Sequence, residues 1–144
     1  MNRLRKRTPC TLGKVGETRA LLHAALLPWY REQRRELPWR ASRDPYGVWV
    51  SEAMLQQTRV ETAIAYWLRF MAALPTVQAL ARASEDEVLT LWSGLGYYRR
   101  ARALLETARI IAGERGGAFP RTREELVALP GIGPYTARAV LAFA

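Results

Sequence analysis

Residues 45 to 58 constrain the fold most, because apolar side chains cover almost the whole circumference of the helix that this segment predicts. Asp44 followed by Pro45 is typical of a helix start, since the aspartate caps the first amides and proline fits the first turn. A helix that is apolar all round lies inside a protein rather than on its surface. The other elements are therefore expected to pack around this segment.

Glu52 is the only charged side chain in that segment. A protein rarely buries an unpaired charge without a use for it. Apolar surroundings favour the neutral carboxylic acid and keep a proton available near neutral pH. The segment therefore predicts either a general acid or a structural glutamate paired with an arginine.

Helices are predicted on both sides of this segment. Apolar residues recur at helical spacing between residues 21 and 29, and further helices are indicated at about 60–74, 84–92 and 99–116. Capping boxes mark two helix starts, Ser84 with Glu87 and Thr122 with Glu125. Strand-like alternation does not appear in the sequence, so the predicted fold class is all-α.

The charge balance indicates a polyanionic partner. Lys and Arg number 22 against 13 Asp and Glu, which gives a net charge of +9 and favours nucleic acid over a membrane surface. Because twenty of the cations are arginine, a coding bias is the alternative explanation. Residues 1–19 hold six of these cations and one anion, and we expect a disordered basic arm there, followed by a helical domain over 20–144.

The remaining composition excludes several classes of protein. The sequence has no signal peptide and no apolar run long enough for a membrane span, so we expect an intracellular protein that does not bind membranes. Cys10 is the only cysteine, which excludes an internal disulfide and a multi-cysteine metal site within residues 1–144.

LPGIGPYTA, residues 129–137, is typical of a tight turn between two helices. Gly131 and Gly133 permit backbone conformations that other residues resist, and their amides, with the start of the next helix, form a concavity suited to a phosphate. Such contacts hold a nucleic acid without reading its sequence. The pattern predicts a helix-hairpin-helix at about 122–144, although an ordinary helix connector would use the same residues.

Three motifs together resemble a known family. VWVSEAMLQQTRVETAIAYWLRF, LWSGLGYYRRARAL and ALPGIGPYTARAV occur in this order, and residues 20–144 are similar to the A/G-specific adenine DNA glycosylases of the endonuclease III superfamily. The resemblance implies a helix-hairpin-helix glycosylase fold, truncated within its helical domain. It also implies a monomeric, cytoplasmic, nucleoid-associated DNA-repair enzyme, which removes adenine mispaired with 8-oxoguanine or guanine in double-stranded DNA by hydrolysis.

The same resemblance assigns catalytic roles. It implies that Glu52 protonates the adenine ring so that the base can leave. Tyr135 resembles the active-site tyrosine of some adenine glycosylases, whereas glycosylase-lyases of the superfamily carry a lysine there, whose amine forms a Schiff base.

DNA-contacting roles follow by the same resemblance. Gln57 matches a side chain that enters the base stack, and Tyr97 matches the aromatic wedge beside the opposing oxidised guanine. Arg40 matches a segment near the adenine pocket, and Gly131 and Gly133 belong to the hairpin. A base must leave the duplex to be attacked, so the gap has to be filled. Core packing for Tyr97 and a solvated amide for Gln57 are the structural alternatives.

The sequence also departs from the family pattern. Cleavage through a cationic sugar generally uses two carboxylates, and the family's second is an aspartate in a segment after the hairpin. Asp44 and Asp86 are the only aspartates, and neither lies in such a segment. The family's iron–sulfur ([4Fe-4S]) cluster is expected from cysteines beyond residue 144, so no cofactor is expected within this chain. The final predicted helix also stops at Ala144 without an end signal.

These departures predict an incomplete and inactive fragment of an adenine glycosylase. Two other functions remain open. One is an endonuclease III-like glycosylase-lyase, and the other is a non-catalytic helix-hairpin-helix DNA-binding module.

Overall fold

The computed structural model describes residues 12–41 and 43–144, and these residues are helical without a strand, which confirms the all-α prediction. The chain is divided into two compact units, residues 1–35 and 36–144. No described helix is both long and apolar enough to cross a membrane. The described helices are α1 (Leu12–Gln33), α2 (Pro38–Ala41), α3 (Pro45–Leu55), α4 (Val60–Ala73), α5 (Val77–Arg82), α6 (Glu85–Trp92), α7 (Arg99–Glu114), α8 (Arg123–Val127) and α9 (Pro134–Phe143).

The described part of the first unit is formed mainly by α1. This helix begins at Leu12, so residues 12–19 are helical where the sequence analysis expected a disordered arm, and residues 1–11 lie outside the described residues. Once a helix is nucleated, each added residue gains a hydrogen bond at little further cost, which lets α1 extend into this charged segment. Pro28 lies inside α1.

Helix α3 lies in the interior of the second unit, as its sequence predicted. The Asp44 side chain caps it by accepting hydrogen bonds from the amides of Tyr46 (3.1 Å) and Gly47 (3.4 Å). Helices α4, α7 and α9 pack against it. Eight of its eleven residues are buried: Tyr46, Gly47, Val48, Trp49, Val50, Ser51, Ala53 and Met54.

The predicted end of α3 at Thr58 was wrong by three residues. The helix ends at Leu55, because Gln56 is extended and Gln57 has a positive φ of 59°. Residues 56–59 are all polar, and because polar residues also occur on the surface of helices, their presence alone did not mark the end.

Long side chains tie the helices of the second unit together. The Trp67 indole donates a hydrogen bond to the Gly47 carbonyl oxygen (2.8 Å), and the Tyr46 hydroxyl donates to that of Leu74 (2.7 Å). Edge-to-face aromatic pairs with ring centroids 5.6–6.2 Å apart fill the space between helices: Trp39–Trp67, Trp49–Phe119 and Phe70–Trp92. The two hydrogen bonds and the Trp49–Phe119 pair hold α3 against its neighbours, and the other two pairs pack those neighbours against one another.

Both predicted capping boxes contribute a cap. The Ser84 hydroxyl accepts from the Glu87 amide (3.1 Å) at the start of α6. At the start of α8 the Thr122 hydroxyl accepts from the Glu125 amide (3.3 Å) and donates to the Glu125 carboxylate (2.9 Å). Helices α2 and α5 were not predicted, since four and six residues are too few to show a helical period.

Candidate active site and DNA-facing surface

The hairpin between α8 and α9 packs closely on α7. The Thr107 hydroxyl donates a hydrogen bond to the Pro130 carbonyl oxygen (2.7 Å). Gly131 has a φ of +72°, and a Cβ atom there would lie 2.7 Å from the Ala103 side chain. Only glycine meets both conditions without strain, so this position fixes the hairpin against α7.

The start of α9 leaves helix amides available to a ligand. Gly133 is its N-cap residue, Pro134 follows, and no side chain caps the helix. Unpaired amides and the positive end of the helix dipole favour an anion such as a phosphate. Tyr135, in the first turn, is 76% exposed, so its phenol is open to solvent.

Two of the predicted DNA-contacting residues have unusual backbone conformations. Among the described non-glycine residues, positive φ angles occur at Arg43, Gln57 (59°) and Tyr97 (49°). Gln57 is exposed at the end of α3, and Tyr97 is 63% exposed just before α7. Strained conformations of this kind persist only where the surrounding structure holds them, and they cluster at functional sites.

A cavity of about 710 Å³ brings three predicted residues together. Gln57, Tyr97 and Gly131 all line it, from the end of α3, the turn before α7 and the hairpin. Arginines 99, 100 and 102 add positive charge to its lining. The lining therefore combines an exposed aromatic ring, a hairpin glycine and cations, features typical of surfaces that bind nucleic acids. The exposure of Tyr97 shows that it is not a core residue.

Glu52 lies on α3, partly buried, outside the lining of that cavity. Burial raises the pKa of its carboxyl group above the usual value of 4.5, and the positive charge of Arg40 partly opposes this rise in pKa. Desolvation has a larger effect on this pKa than Arg40 does, because α3 is surrounded by apolar residues. The site therefore offers a carboxylic acid that keeps its proton at higher pH than a surface glutamate.

Arg40 connects this acid to the last helix. Its guanidinium lies 5.2 Å from the centre of the Phe143 ring, in a cation–π geometry. Arg40 therefore contacts α9 and is also close enough to Glu52 to influence its pKa. Helix α9, which carries Tyr135, packs directly against α3. Glu52 and Arg40 thus form an electrostatic pair near α9, whereas Gly133 and Tyr135 stand exposed at its first turn.

Arg100 is a residue of this region that the sequence analysis missed. Its guanidinium donates to carbonyl oxygens at the end of α3 and in the turn that precedes Tyr97. A signal was present in the sequence, because Arg100 lies four residues before Leu104, on the face of α7 that is otherwise apolar. A cation on a buried face requires a specific set of acceptors.

The described residues do not supply a metal site. No group of three or more His, Cys, Asp or Glu side chains in the described part of the chain is arranged to hold a metal ion. Cys10 lies outside the described residues. With a single cysteine, residues 1–144 do not fit a four-cysteine cluster.

The family comparison agrees with the motifs. The profile of the HhH-GPD superfamily base excision DNA repair proteins matches residues 50–140. An adenine DNA glycosylase of Rattus norvegicus is 52% identical over 128 residues, which cover 83% of this chain and 25% of the relative. The relative from Buchnera aphidicola subsp. Baizongia pistaciae is 43% identical over 127 residues, covering 88% and 36%. The predicted resemblance is confirmed, and the chain spans between a quarter and about a third of these two relatives.

Solved structures share the fold. A thermostable thymine-DNA glycosylase superposes with a TM-score of 0.82 at 28% identity, covering 90% of this chain and 60% of the other. A non-covalent endonuclease III–DNA complex gives a TM-score of 0.73 at 20% identity, covering 90% and 59%. The second likeness establishes the fold alone.

Proposed function

We propose that this chain, which belongs to the HhH-GPD superfamily of base excision DNA repair proteins, carries the general acid and part of the DNA-contacting surface of an adenine DNA glycosylase. The substrate would be double-stranded DNA in which adenine is mispaired with 8-oxoguanine or guanine. The observation that carries the proposal is the position of Glu52. It is a partly buried acid of raised pKa on α3, the helix that ends two residues before Gln57.

The DNA-facing part of the proposal rests on charge and geometry. The net charge of +9 attracts the phosphate backbone, and the uncapped start of α9 with Gly133 suits one phosphate. Gln57 and Tyr97 are exposed on the same cavity, so both are able to enter a base stack. We propose that they occupy the space that opens when adenine leaves the helix.

The chemical step follows from the protonation state of Glu52. Its neutral carboxyl group donates a proton to a ring nitrogen of the extruded adenine. The bond between the sugar carbon and the base then breaks, and its electron pair leaves with the now neutral adenine. The oxygen of a water molecule bonds to the sugar carbon, and the proton that water releases restores the acid. Each turnover therefore consumes one water and no other reactant.

We propose that neither aspartate of this chain supplies the second carboxylate of the reaction. Asp44 caps α3, and Asp86 is exposed in the first turn of α6. Without a group that stabilises the sugar cation, we propose that residues 1–144 alone excise adenine slowly or not at all.

Tyr135 favours hydrolysis over strand cleavage. The phenol stands at the position where lyases of the superfamily carry a lysine, and a phenol cannot form a Schiff base. A glycosylase-lyase would leave a covalent DNA adduct after borohydride reduction, so we expect no adduct with this chain.

A chimaeric enzyme tests the proposed function directly. Residues 20–144 replace the matching segment of the rat adenine DNA glycosylase, to which they are similar, and adenine release is measured under single-turnover conditions from an A:8-oxoguanine duplex. We expect release, and we expect Glu52→Gln to slow it by about 10²–10⁴-fold while DNA binding stays intact.

Glu106→Gln is the matched control, because Glu106 is exposed on α7. It should leave the rate of adenine release unchanged. A Glu52→Gln chimaera that releases adenine as fast as its parent would refute the role of Glu52 and favour the non-catalytic module. So would a folded chimaera that binds DNA but releases no adenine.

A further inference from the structure

The Arg100 guanidinium caps the end of α3. Its Nη1 atom donates to the carbonyl oxygens of Ala53 (2.8 Å), Met54 (3.0 Å) and Gln56. The last carbonyls of a helix have no partner within the helix, and a positive charge there also interacts favourably with the helix dipole. Arg100 therefore binds the carbonyl oxygens at the end of α3 and that of Gln56, one residue before Gln57.

The same guanidinium also holds the turn before α7. Its Nη2 atom donates to the carbonyl oxygens of Leu95 (3.4 Å) and Gly96 (3.3 Å). The guanidinium carbon lies 5.4 Å from the Trp92 ring centre and 5.5 Å from that of Tyr97. Arg100 therefore also binds the backbone one residue before Tyr97, and its guanidinium lies in a cation–π geometry with the Tyr97 ring.

Both sets of contacts lie directly next to the two residues whose backbone conformations are strained. Gln57 and Tyr97 have φ angles of 59° and 49°, and each directly follows a carbonyl that Arg100 binds. Backbone in this region reverts to a commoner conformation unless neighbouring contacts prevent it. The Nε atom of Arg100 is buried and has no hydrogen-bond partner among the described residues, which is unfavourable. The planar guanidinium thus makes its other hydrogen bonds at the cost of this unsatisfied donor.

We propose that Arg100 is a positioning residue that holds Gln57 and Tyr97 in the conformations in which they enter the DNA base stack. The inference rests on the proposed function, since it supposes that both side chains enter DNA. Arg100 acts through them and does not itself need to touch the nucleic acid. Prior ordering of the two side chains raises affinity for a duplex with an open base site, because less freedom is lost on binding. It leaves affinity for intact duplex to the phosphate contacts.

Arg100→Lys in the 144-residue chain tests this inference. Lysine keeps the charge but cannot reach both backbone segments with one planar group. The matched control is Arg109→Lys. Arg109 is on the same helix and also donates to two carbonyl oxygens, those of Ala81 (3.4 Å) and Ala83 (3.3 Å). Both variants are compared with the parent chain for thermal unfolding and DNA affinity.

Two fluorescent duplexes measure that affinity. One is undamaged, and the other carries a tetrahydrofuran abasic-site analogue opposite 8-oxoguanine. We expect Arg100→Lys to reduce the preference for the abasic-site duplex by about tenfold, the scale on which strained conformations of this kind are held. Affinity for undamaged DNA should change less than about twofold. Arg109→Lys should keep the preference.

A double-mutant cycle separates positioning from general stability. In a chain that already carries Gln57→Ala and Tyr97→Ala, Arg100→Lys should no longer change the preference, because its targets are gone. An equal loss of preference in that background, or proportional loss for both duplexes, would overturn the inference. If neither Arg100→Lys nor Arg100→Gln gives a chain that unfolds cooperatively, Arg100 is a general stabilising residue and the inference is also overturned.

The parent chain distinguishes this inference from the proposed function. If the parent shows no preference for the abasic-site duplex, the proposed function fails and this inference fails with it. If the parent shows the preference and Arg100→Lys retains it in full, this inference alone fails.

Discussion

Replacing Glu52 with glutamine should stabilise the folded chain at neutral pH. Burial raises the pKa of this carboxyl group in the folded state above 4.5, while in the unfolded chain the group is exposed to water. At a pH between these two pKa values, Glu52 keeps its proton in the folded state and has lost it in the unfolded state. The contribution of Glu52 to stability is therefore greatest below the unfolded pKa, and it falls as the pH rises through the folded pKa.

The size of the effect follows from the pKa difference. Each unit of difference corresponds to at most about 1.4 kcal/mol of unfolding free energy once the pH is above both pKa values, and solvent screening reduces this because Glu52 is only partly buried. For domains of roughly this size, 1 kcal/mol changes the melting temperature by about 2–8 °C. Glutamine has nearly the same shape and does not ionise, so the variant avoids the loss that the parent suffers at high pH. The attraction to Arg40 makes the gain smaller than burial alone would give.

Circular dichroism at a series of pH values measures this difference. The melting temperatures of parent and Glu52→Gln should be similar near pH 4 and should diverge as the pH rises, with the variant more stable at pH 7. Glu106→Gln, on an exposed face of α7, should follow the parent. A Glu52→Gln variant that is less stable than the parent at pH 7, or a difference that does not depend on pH, would refute the reasoning. Greater stability with lost excision is the pattern expected of a functional residue.

Three further substitutions test other parts of the structure. Gly131→Ala should destabilise the chain by about 2–4 kcal/mol in urea titrations, because the new Cβ would lie 2.7 Å from the Ala103 side chain and φ is +72°. A change below about 0.5 kcal/mol would contradict the packing of the hairpin on α7. Thr122→Ala should cost about 1 kcal/mol by the same assay through loss of the α8 cap, and no cost would mean that the cap is not formed in solution. Tyr97→Ala should change the unfolding free energy by less than about 0.5 kcal/mol because the side chain is 63% exposed, yet weaken binding to an abasic-site duplex in fluorescence anisotropy; a large loss of stability would instead place Tyr97 in the core.

Much of this fold follows from local sequence. Asp44–Pro45 and the capping residues Ser84 and Thr122 set helix starts through contacts within three residues, so short-range chemistry predicts them. The end of α3 is different. The carbonyls of its last turn are bound by Arg100, about 45 residues further along the chain, and no local pattern contains that contact.

Some features of the candidate site also follow from local sequence, and others do not. Gly131 is recognisable from its motif, and its φ of +72° explains why glycine stands there. The presence of Glu52 in an apolar helix predicted a carboxyl group of raised pKa, since the apolar neighbours are adjacent in sequence. The opposing influence of Arg40 and the shared cavity of Gln57 and Tyr97 depend on how separate helices pack. The resemblance implied that Arg40 lies near the adenine pocket and that Gln57 and Tyr97 both enter DNA, whereas residue spacing implied neither.

The most direct test of the account is the titration of Glu52 itself. In the 144-residue chain with carbon-13-labelled glutamate, the side-chain carboxyl resonance that disappears in Glu52→Gln is followed by NMR as the pH changes. We expect a midpoint above 4.5, and a further rise in Arg40→Met, because the charge that opposes the shift is removed. A midpoint at or below 4.5 would contradict the claim that this helix holds a protonated acid for the leaving base.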